Sequence, residues 1–315
     1  MSESKHVFSS SASAVATAEV DTNAPAVESS SSLLRDYFTL TKPEITFLVA
    51  ISALAGFLLG SPGGLDWFIL LVTIVGVVLS SAGAAVLNHA TEAPLDAVMK
   101  RTSGRPIATG RIPVQQAKYV GYFLIAAGIG ILCPLTNPLT AILAGIAAAA
   151  YVFVYTPLKR KTEWNTLVGT IPGALPALGG WTAATGNLHA GGWAIFLILA
   201  AWQMPHFLAL AWMYRKDYAR GGFVMTSVND PTGIRTSGQA MFFTVVMVLV
   251  SILPFALGLA GTVYLAGAVF LGGWFLVYSF RFLKERTGTT ARGVLKASIY
   301  YIPLLVALIA VDHLI

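Results

Sequence analysis

Residues 67 to 106 read WFILLVTIVGVVLSSAGAAVLNHATEAPLDAVMKRTSGRP, an apolar run that ends in a charged loop. The stretch from Trp67 to Ala90 contains no Asp, Glu, Lys or Arg and exceeds the about 20 apolar residues that cross a bilayer. Similar runs recur along the chain after Leu40. With 56% hydrophobic and 11% charged residues, the chain is far from the roughly 25% charged residues of soluble domains. We predict an all-α polytopic membrane protein.

Nine transmembrane helices account for the apolar runs. We place them at 45–60, 67–90, 114–133, 138–155, 165–185, 192–213, 239–258, 262–280 and 294–311. Residues 33–315 then form one transmembrane domain, and residues 1–32, rich in Ser, Ala and Val, form a tail predicted to be disordered. This tail has neither the Arg-rich composition of a transit peptide nor the basic start and apolar run of a signal peptide. We therefore predict a bacterial cell (inner) membrane.

The Lys and Arg residues alternate with these spans. The connections 61–66, 134–137, 186–191 and 259–261 contain none, whereas the other connections contain all of them except Lys5, Lys118 and Lys296. By the positive-inside rule the basic loops are cytoplasmic. The net charge of +6 follows the membrane in this way, which argues against nucleic acid as a partner. The single cysteine, Cys133, excludes an internal disulfide and a cysteine-based metal site.

The loop after the second span combines acids with bases. Asn88, Glu92 and Asp96 are four residues apart and share one face of a helix, which Pro94 is expected to kink or end. Arg101 and Arg105 repeat the four-residue spacing in basic form. Such carboxylates and amides can hold Mg²⁺, and guanidinium groups suit diphosphate oxygens. The alternative is a solvated interfacial loop whose charges only set the topology.

Other polar residues are weaker evidence for a functional site when each is taken alone. Asp217 lies among basic residues after the sixth span, while Lys159 and Arg160 directly follow the fourth span and have an ordinary topological explanation. His206 and His89 lie within or beside helices, where histidines are more often structural than ligands.

Several segments resemble the UbiA superfamily of intramembrane prenyltransferases. Asn88, Glu92 and Asp96 stand in the register of its first aspartate-rich motif, N-D-x-x-D-x-x-x-D, and residues 155–160 resemble its Y-x-x-x-K-R loop. DAVMKRTSGRPIATGRI, YTPLKRKTEWNTLVGTIPGALPALGGWTAATG, WQMPHFLALAW and YRKDYARGGFVM are similar to the branch that farnesylates protoheme IX. The resemblance runs from about Lys42 to the C-terminus.

The resemblance implies an enzyme that transfers farnesyl from farnesyl diphosphate to the 2-vinyl group of protoheme IX, making heme O for heme–copper terminal oxidases. It implies Mg²⁺ as cofactor, the lipid bilayer as surroundings, and heme A synthase or oxidase assembly factors as partners. The implied catalytic residues are Asn88, Glu92, Asp96 and Asp217, with Glu92, Asp96 and Asp217 as metal ligands. The implied diphosphate-binding residues are Lys100, Arg101, Arg105, Lys159 and Arg160, and the candidate heme contacts are His206 and His89.

The sequence departs from the broad superfamily pattern. His89 and Glu92 replace aspartates, and Met213 stands where the second motif has its first carboxylate. Such a loss of aspartates from the two motifs fits the heme branch. One alternative is a UbiA-type enzyme that prenylates an aromatic or quinone precursor. Two further alternatives are a membrane transporter, which tends to have polar residues near the midplane, and a structural subunit, which would not need the spaced acids.

Overall fold

The computed structural model describes residues 30 to 312, so the disorder predicted for residues 1–29 lies outside the described residues. Residues 30 to 32, the end of the predicted tail, begin a helix. Within the described range the chain is helical and has no strands, which confirms the predicted all-α class. The helices are α1 (Ser30–Leu40), α2 (Pro43–Leu59), α3 (Trp67–Asp96), α4 (Val114–Leu135), α5 (Pro138–Leu158), α6 (Asn165–Thr185), α7 (Ala190–Met213), α8 (Arg215–Arg220), α9 (Ile234–Ala256), α10 (Thr262–Glu285) and α11 (Gly288–Asp312).

Each of the nine predicted spans lies in one of these helices or extends at most two residues beyond its C-terminal end, but the number nine is not confirmed. Between residues 30 and 312, seven helices are long and apolar enough to cross a membrane: α3, α4, α5, α7, α9, α10 and α11. The pair α1 and α2, bent by 48°, can count as an eighth span. Helix α6 falls short because its prolines, glycines and threonines lower its hydropathy.

Helix α3 is longer than predicted. It continues beyond Ala90 and through Pro94 as far as Asp96, so of the two effects predicted for Pro94, a kink or a helix end, the helix end is wrong. A proline in the last turn removes only one backbone hydrogen bond, and the rest of the helix is unaffected. The extra residues carry Glu92 and Asp96 on a rigid helix rather than on a loop.

Glycines bring neighbouring helices into backbone contact. A Cβ atom on Gly83 of α3 would lie 2.5 Å from the carbonyl oxygen of Gly121 in α4, and one on Gly128 would lie 2.5 Å from that of Gly76. Small residues of this kind are typical of helix interfaces in membranes, where van der Waals contact drives association. They hold α3 and α4 together as one continuous wall.

The loops predicted on one membrane face meet at one end of the bundle. The Val224 amide donates to the carbonyl oxygen of Lys159 at 2.8 Å, and Asn165 donates to the carbonyl oxygen of Val224 at 2.6 Å. Arg235 pairs with Glu163 at 2.7 Å. We call this region, formed by residues 97–113, 159–164 and 214–233, the polar end.

Candidate active site

A cavity of about 770 Å³ extends from the polar end into the bundle, between α2, α3, α5, α6 and α7. Val77 and Asp96 of α3 both line it, and at 1.5 Å per residue these two positions are about 28 Å apart along the helix. Its charged lining side chains are Arg35, Lys42, Glu44, Glu92, Asp96, Arg101, Arg105 and Lys159, and its apolar ones include Leu48, Val49, Val77, Leu143, Ala147 and Leu175. The cavity therefore joins a charged mouth to a long apolar interior.

Two buried acids of α3 face the mouth, and each is paired with a base from another segment. The Glu92 carboxylate accepts a hydrogen bond from Lys159 Nζ at 2.7 Å, and both oxygens of Asp96 lie 2.7 Å from Arg105 Nη1. Glu92 and Asp96 are 5% and 1% exposed. Since both acids are neutralised by these partners, the remaining bases are available to an anion.

Asn88 does not line the cavity but connects three elements behind it. Its Oδ1 accepts a hydrogen bond from Lys42 Nζ at 2.5 Å, and its Nδ2 donates to Thr156 Oγ1 at 3.0 Å. Lys42 does line the cavity and has a left-handed backbone with φ 49°, a conformation that costs free energy for a residue with a side chain. Lys42 was not predicted as a site residue, because a lone basic residue before a span is an ordinary topology signal.

The lining carries an excess of positive charge. Five of its side chains are basic and three are acidic, and Lys42 donates to a neutral amide rather than to a carboxylate. The Arg101 guanidinium lies 5.2 Å from the centre of the Tyr214 ring, a cation–π contact that keeps its full charge. A ligand with several negative charges, such as a diphosphate, would balance this surplus.

Lys159 is held in the site by contacts of both its side chain and its backbone. Burial acts to lower the pKa of its ammonium group, but the neighbouring Glu92 carboxylate outweighs this and raises the pKa above its usual value. The Lys159 backbone is fixed by Val224, and its ammonium group lies 4.6 Å from the centre of the Tyr155 ring. The residue therefore stays cationic at a defined position.

Aromatic residues from α5 continue the wall below the charged mouth. Residues Ala150–Tyr155 form a π-helical turn, a feature frequent at functional sites, and Tyr151 and Tyr155 both line the cavity. Gly169 of α6 makes room for the Tyr155 ring, because a Cβ there would lie 2.6 Å from it. No periodic pattern in the sequence marks Tyr151, and Tyr155 is marked only by the resemblance of residues 155–160 to the Y-x-x-x-K-R loop.

The two histidines lie in different surroundings. His206 lines the cavity deeper in α7, and its Nδ1 lies 2.8 Å from Ser298 Oγ. The Ser298 hydroxyl donates to the carbonyl oxygen of Leu295 at 2.7 Å, so the tautomer that satisfies both contacts carries its hydrogen on Nδ1 and leaves a lone pair on Nε2. His89 lines the charged part of the cavity, and both its ring nitrogens lack a hydrogen-bond partner among the described residues.

Besides Asn88, three of the predicted site residues lie outside the cavity lining. Lys100 and Arg160 are exposed to solvent at the polar end. Asp217 of α8 pairs with Arg220 three residues later, although its neighbours Tyr214 and Tyr218 do line the cavity.

The acids of the site fit Mg²⁺ only in part. Within residues 30–312, no three Asp, Glu, His or Cys side chains come together as a metal-binding group. Glu92 and Asp96, however, lie one turn apart on the same wall, and Mg²⁺ usually takes one or two carboxylates together with substrate phosphates and water. This pair therefore fits a Mg²⁺ ion that arrives with a diphosphate.

Comparison with solved structures identifies the fold. A structure described as digeranylgeranylglyceryl phosphate synthase in membranes superposes with a TM-score of 0.73 at 20% identity, covering 90% of this chain and 99% of that one. A UbiA homologue from Archaeoglobus fulgidus, solved with GPP and Mg²⁺, gives a TM-score of 0.59 at 16% identity, with 87% and 99% covered.

Comparison with curated sequences identifies the relatives. The chain is 57% identical to protoheme IX farnesyltransferase of Salinibacter ruber, over 89% of this chain and 99% of the relative. It is 42% identical to the protein of the same name from Solibacter usitatus, with the same shares covered. Residues 49–302 match the UbiA prenyltransferase family. The chain belongs to the UbiA prenyltransferase family.

Proposed function

We propose that this chain transfers the farnesyl group of farnesyl diphosphate to the 2-vinyl group of protoheme IX and so makes heme O for heme–copper terminal oxidases. The observation that carries the proposal is the single cavity that joins a basic mouth to an apolar interior. The mouth suits a diphosphate, and the interior suits an isoprenoid chain. Two relatives named protoheme IX farnesyltransferase match this chain over nearly their whole length, which supports protoheme as the acceptor.

The diphosphate occupies the polar end in this proposal. Lys42, Arg101, Arg105 and Lys159 line this part of the cavity and neutralise the negative charge. Glu92 and Asp96 would hold Mg²⁺, which when bound stabilises the diphosphate as a leaving group. Asp217 is a further candidate ligand, and Lys100 and Arg160 add positive charge from the exposed surface of the same end.

The chemistry begins with cleavage of the bond between farnesyl C1 and the diphosphate oxygen. The basic side chains stabilise the departing charge, and the apolar walls below them keep solvent from the allylic cation. The Tyr151 ring lines the junction and is a candidate to stabilise that cation through its π face, whereas the Tyr155 ring is already in contact with Lys159. The vinyl group then forms the new carbon–carbon bond, and water supplies the hydroxyl group of the product.

The acceptor lies beside α7 in this proposal. His206, its neighbour Phe207 and Trp202 line this part of the cavity, and the ring centroids of Trp202 and His206 are 5.4 Å apart. These flat side chains suit contact with a porphyrin. His89, at the charged part of the cavity, is a second and weaker candidate for heme contact.

The proposed function also predicts a membrane and partner proteins. The chain is a multi-pass membrane protein, and we propose the bacterial inner membrane with the polar end cytoplasmic, as the positive-inside rule predicts. Since heme O is itself an intermediate for oxidases, heme A synthase or oxidase assembly factors are proposed partners.

One assay tests the function directly. Purified protein is incubated with protoheme, farnesyl diphosphate and Mg²⁺, and the heme products are analysed by mass spectrometry. We expect a heme that has gained one farnesyl group and one water. A product from a quinone precursor but none from protoheme would overturn the acceptor, and uptake of unmodified substrate into proteoliposomes would instead support a transporter.

A further inference from the structure

The Gln203 side chain places a hydrogen-bond acceptor in the apolar part of the cavity. Gln203 of α7 lines the cavity and is 4% exposed. Its Nε2 donates to the carbonyl oxygens of Leu199 at 3.1 Å and Thr170 at 3.3 Å, which uses both amide hydrogens and fixes the carboxamide. Its Oε1 accepts no hydrogen bond from the described residues and is not fully enclosed by them, so a ligand in the cavity can donate to it.

Helix α6, which carries Thr170, also leaves space for this oxygen. Gly173 of α6 lies so close that a Cβ atom there would collide with Gln203 Oε1. The absence of a side chain at Gly173 therefore leaves room for the carboxamide in its present position.

His206 provides a second acceptor on the same face. It follows Gln203 by three residues, which places the two side chains next to each other on the helix. With its hydrogen on Nδ1 and donated to Ser298, the ring offers the Nε2 lone pair. The other lining residues here, such as Pro172, Leu175 and Leu210, are apolar.

Two neighbouring acceptors in apolar surroundings call for a ligand that donates two hydrogens. We infer that Gln203 Oε1 and His206 Nε2 hold the water molecule that adds to the vinyl carbon, and that His206 accepts the proton which this water loses. The inference rests on the proposed function, because only a reaction that ends with addition of water needs such a site.

The steps balance without any further reagent. The vinyl π electrons bond the terminal vinyl carbon to farnesyl C1, and the positive charge moves to the vinyl carbon attached to the porphyrin. A lone pair of the water forms the new carbon–oxygen bond, and the proton released passes to His206 Nε2. Without a held water, this cation would lose a proton from the adjacent carbon and give an alkene that contains one water less.

The test compares products rather than total activity. Gln203→Leu and His206→Phe are assayed with protoheme and farnesyl diphosphate in H₂¹⁸O, and the hydrated and dehydrated farnesyl hemes are quantified by mass spectrometry. We expect the wild type to give the ¹⁸O-labelled hydrated product and each variant to lower the ratio of hydrated to dehydrated product about tenfold or more.

Gly173→Ala provides a variant in which Gln203 itself remains. The new methyl group displaces Oε1, so the ratio should fall here too, whereas Gly238→Ala, at a position with open space around it, is the matched control. An unchanged ratio in Gly173→Ala and in the folded Gln203 and His206 variants would overturn the inference. A wild type that forms no farnesylated heme at all would overturn the proposed function instead.

Discussion

Lys42 Nζ donates to Oδ1 of Asn88 across 2.5 Å, and the lysine that makes this contact has a left-handed backbone. The contact holds the lysine amino group at a fixed position on the cavity wall. A diphosphate that enters the cavity therefore meets a hydrogen-bond donor there.

We expect Lys42→Met to raise KM for farnesyl diphosphate and to lower kcat/KM about 10- to 100-fold, because a hydrogen bond to a charged group contributes roughly 1.5–3 kcal/mol. Steady-state kinetics with varied farnesyl diphosphate measure the effect. Lys284→Met is the control, since Lys284 is exposed at the end of α10. Equal kinetics for the two variants would remove Lys42 from the site.

The effects of the Lys159–Glu92 pair on stability and on activity can be measured separately. Its side chains are only 13% and 7% exposed, and removal of one partner of a buried pair typically costs about 3–5 kcal/mol. We expect Lys159→Met to destabilise the protein by this order, and Lys159→Met/Glu92→Gln to regain most of the stability without regaining activity. Unfolding in detergent and the heme assay test this. Recovery of activity in the double variant would show that the pair is only structural.

The two carboxylates on α3 predict a dependence on Mg²⁺. Activity should disappear with EDTA and return with Mg²⁺, and Asp96→Asn should raise the half-saturating Mg²⁺ concentration by about tenfold or more. Asp66→Asn is a control at the opposite end of the same helix, where Asp66 accepts a hydrogen bond from the Ile69 amide. Asparagine caps a helix about as well as aspartate, so this variant should keep its stability and leave the Mg²⁺ response unchanged. Full activity of Asp96→Asn at the wild-type Mg²⁺ concentration would contradict the metal role.

Asp230 predicts a pH dependence of stability at the polar end. Burial acts to raise its pKa, but hydrogen bonds from the Thr236 amide and hydroxyl, the Thr232 hydroxyl and the Gly233 amide lower it below the ordinary 3.8. Because the folded state has the lower pKa, this contribution to stability is present above the unfolded value and is lost as pH falls below about 4.

Thermal unfolding between neutral and acid pH measures this contribution. Asp230→Asn should be less stable than the wild type at neutral pH, and the difference should shrink in acid. Glu285→Gln, at an exposed position of α10, should show no such convergence. A constant difference between Asp230→Asn and the wild type at every pH would refute the prediction.

The sequence predicted the positions of the helices well because hydropathy is a local property, although nine membrane crossings are not confirmed. Helix α6 begins and ends where predicted, at Asn165 and Thr185. The spacing of Asn88, Glu92 and Asp96 also indicated one helical face, because these residues lie within three turns. The bend between α1 and α2 and the short helix α8 were not predicted, since neither produces a long apolar run.

The contacts that complete the site could not be predicted in the same way. Lys42 is 46 residues from Asn88, and Lys159 is 67 residues from Glu92. Such pairs depend on how whole helices pack, and no periodicity within one segment encodes them. The same applies to Gln203, whose free oxygen becomes apparent only when Thr170 and Gly173 of α6 are placed beside it.

The Asn88 carboxamide has a consequence for recombination between relatives. One side chain joins α3 to Lys42 before α2 and to Thr156 in α5, so residues far apart in the gene act as one unit. A chimera that exchanges α3 between distant homologues should work when positions 42, 88 and 156 come from the same parent. Mixed parentage at these three positions should impair the chimera even when every helix is individually intact.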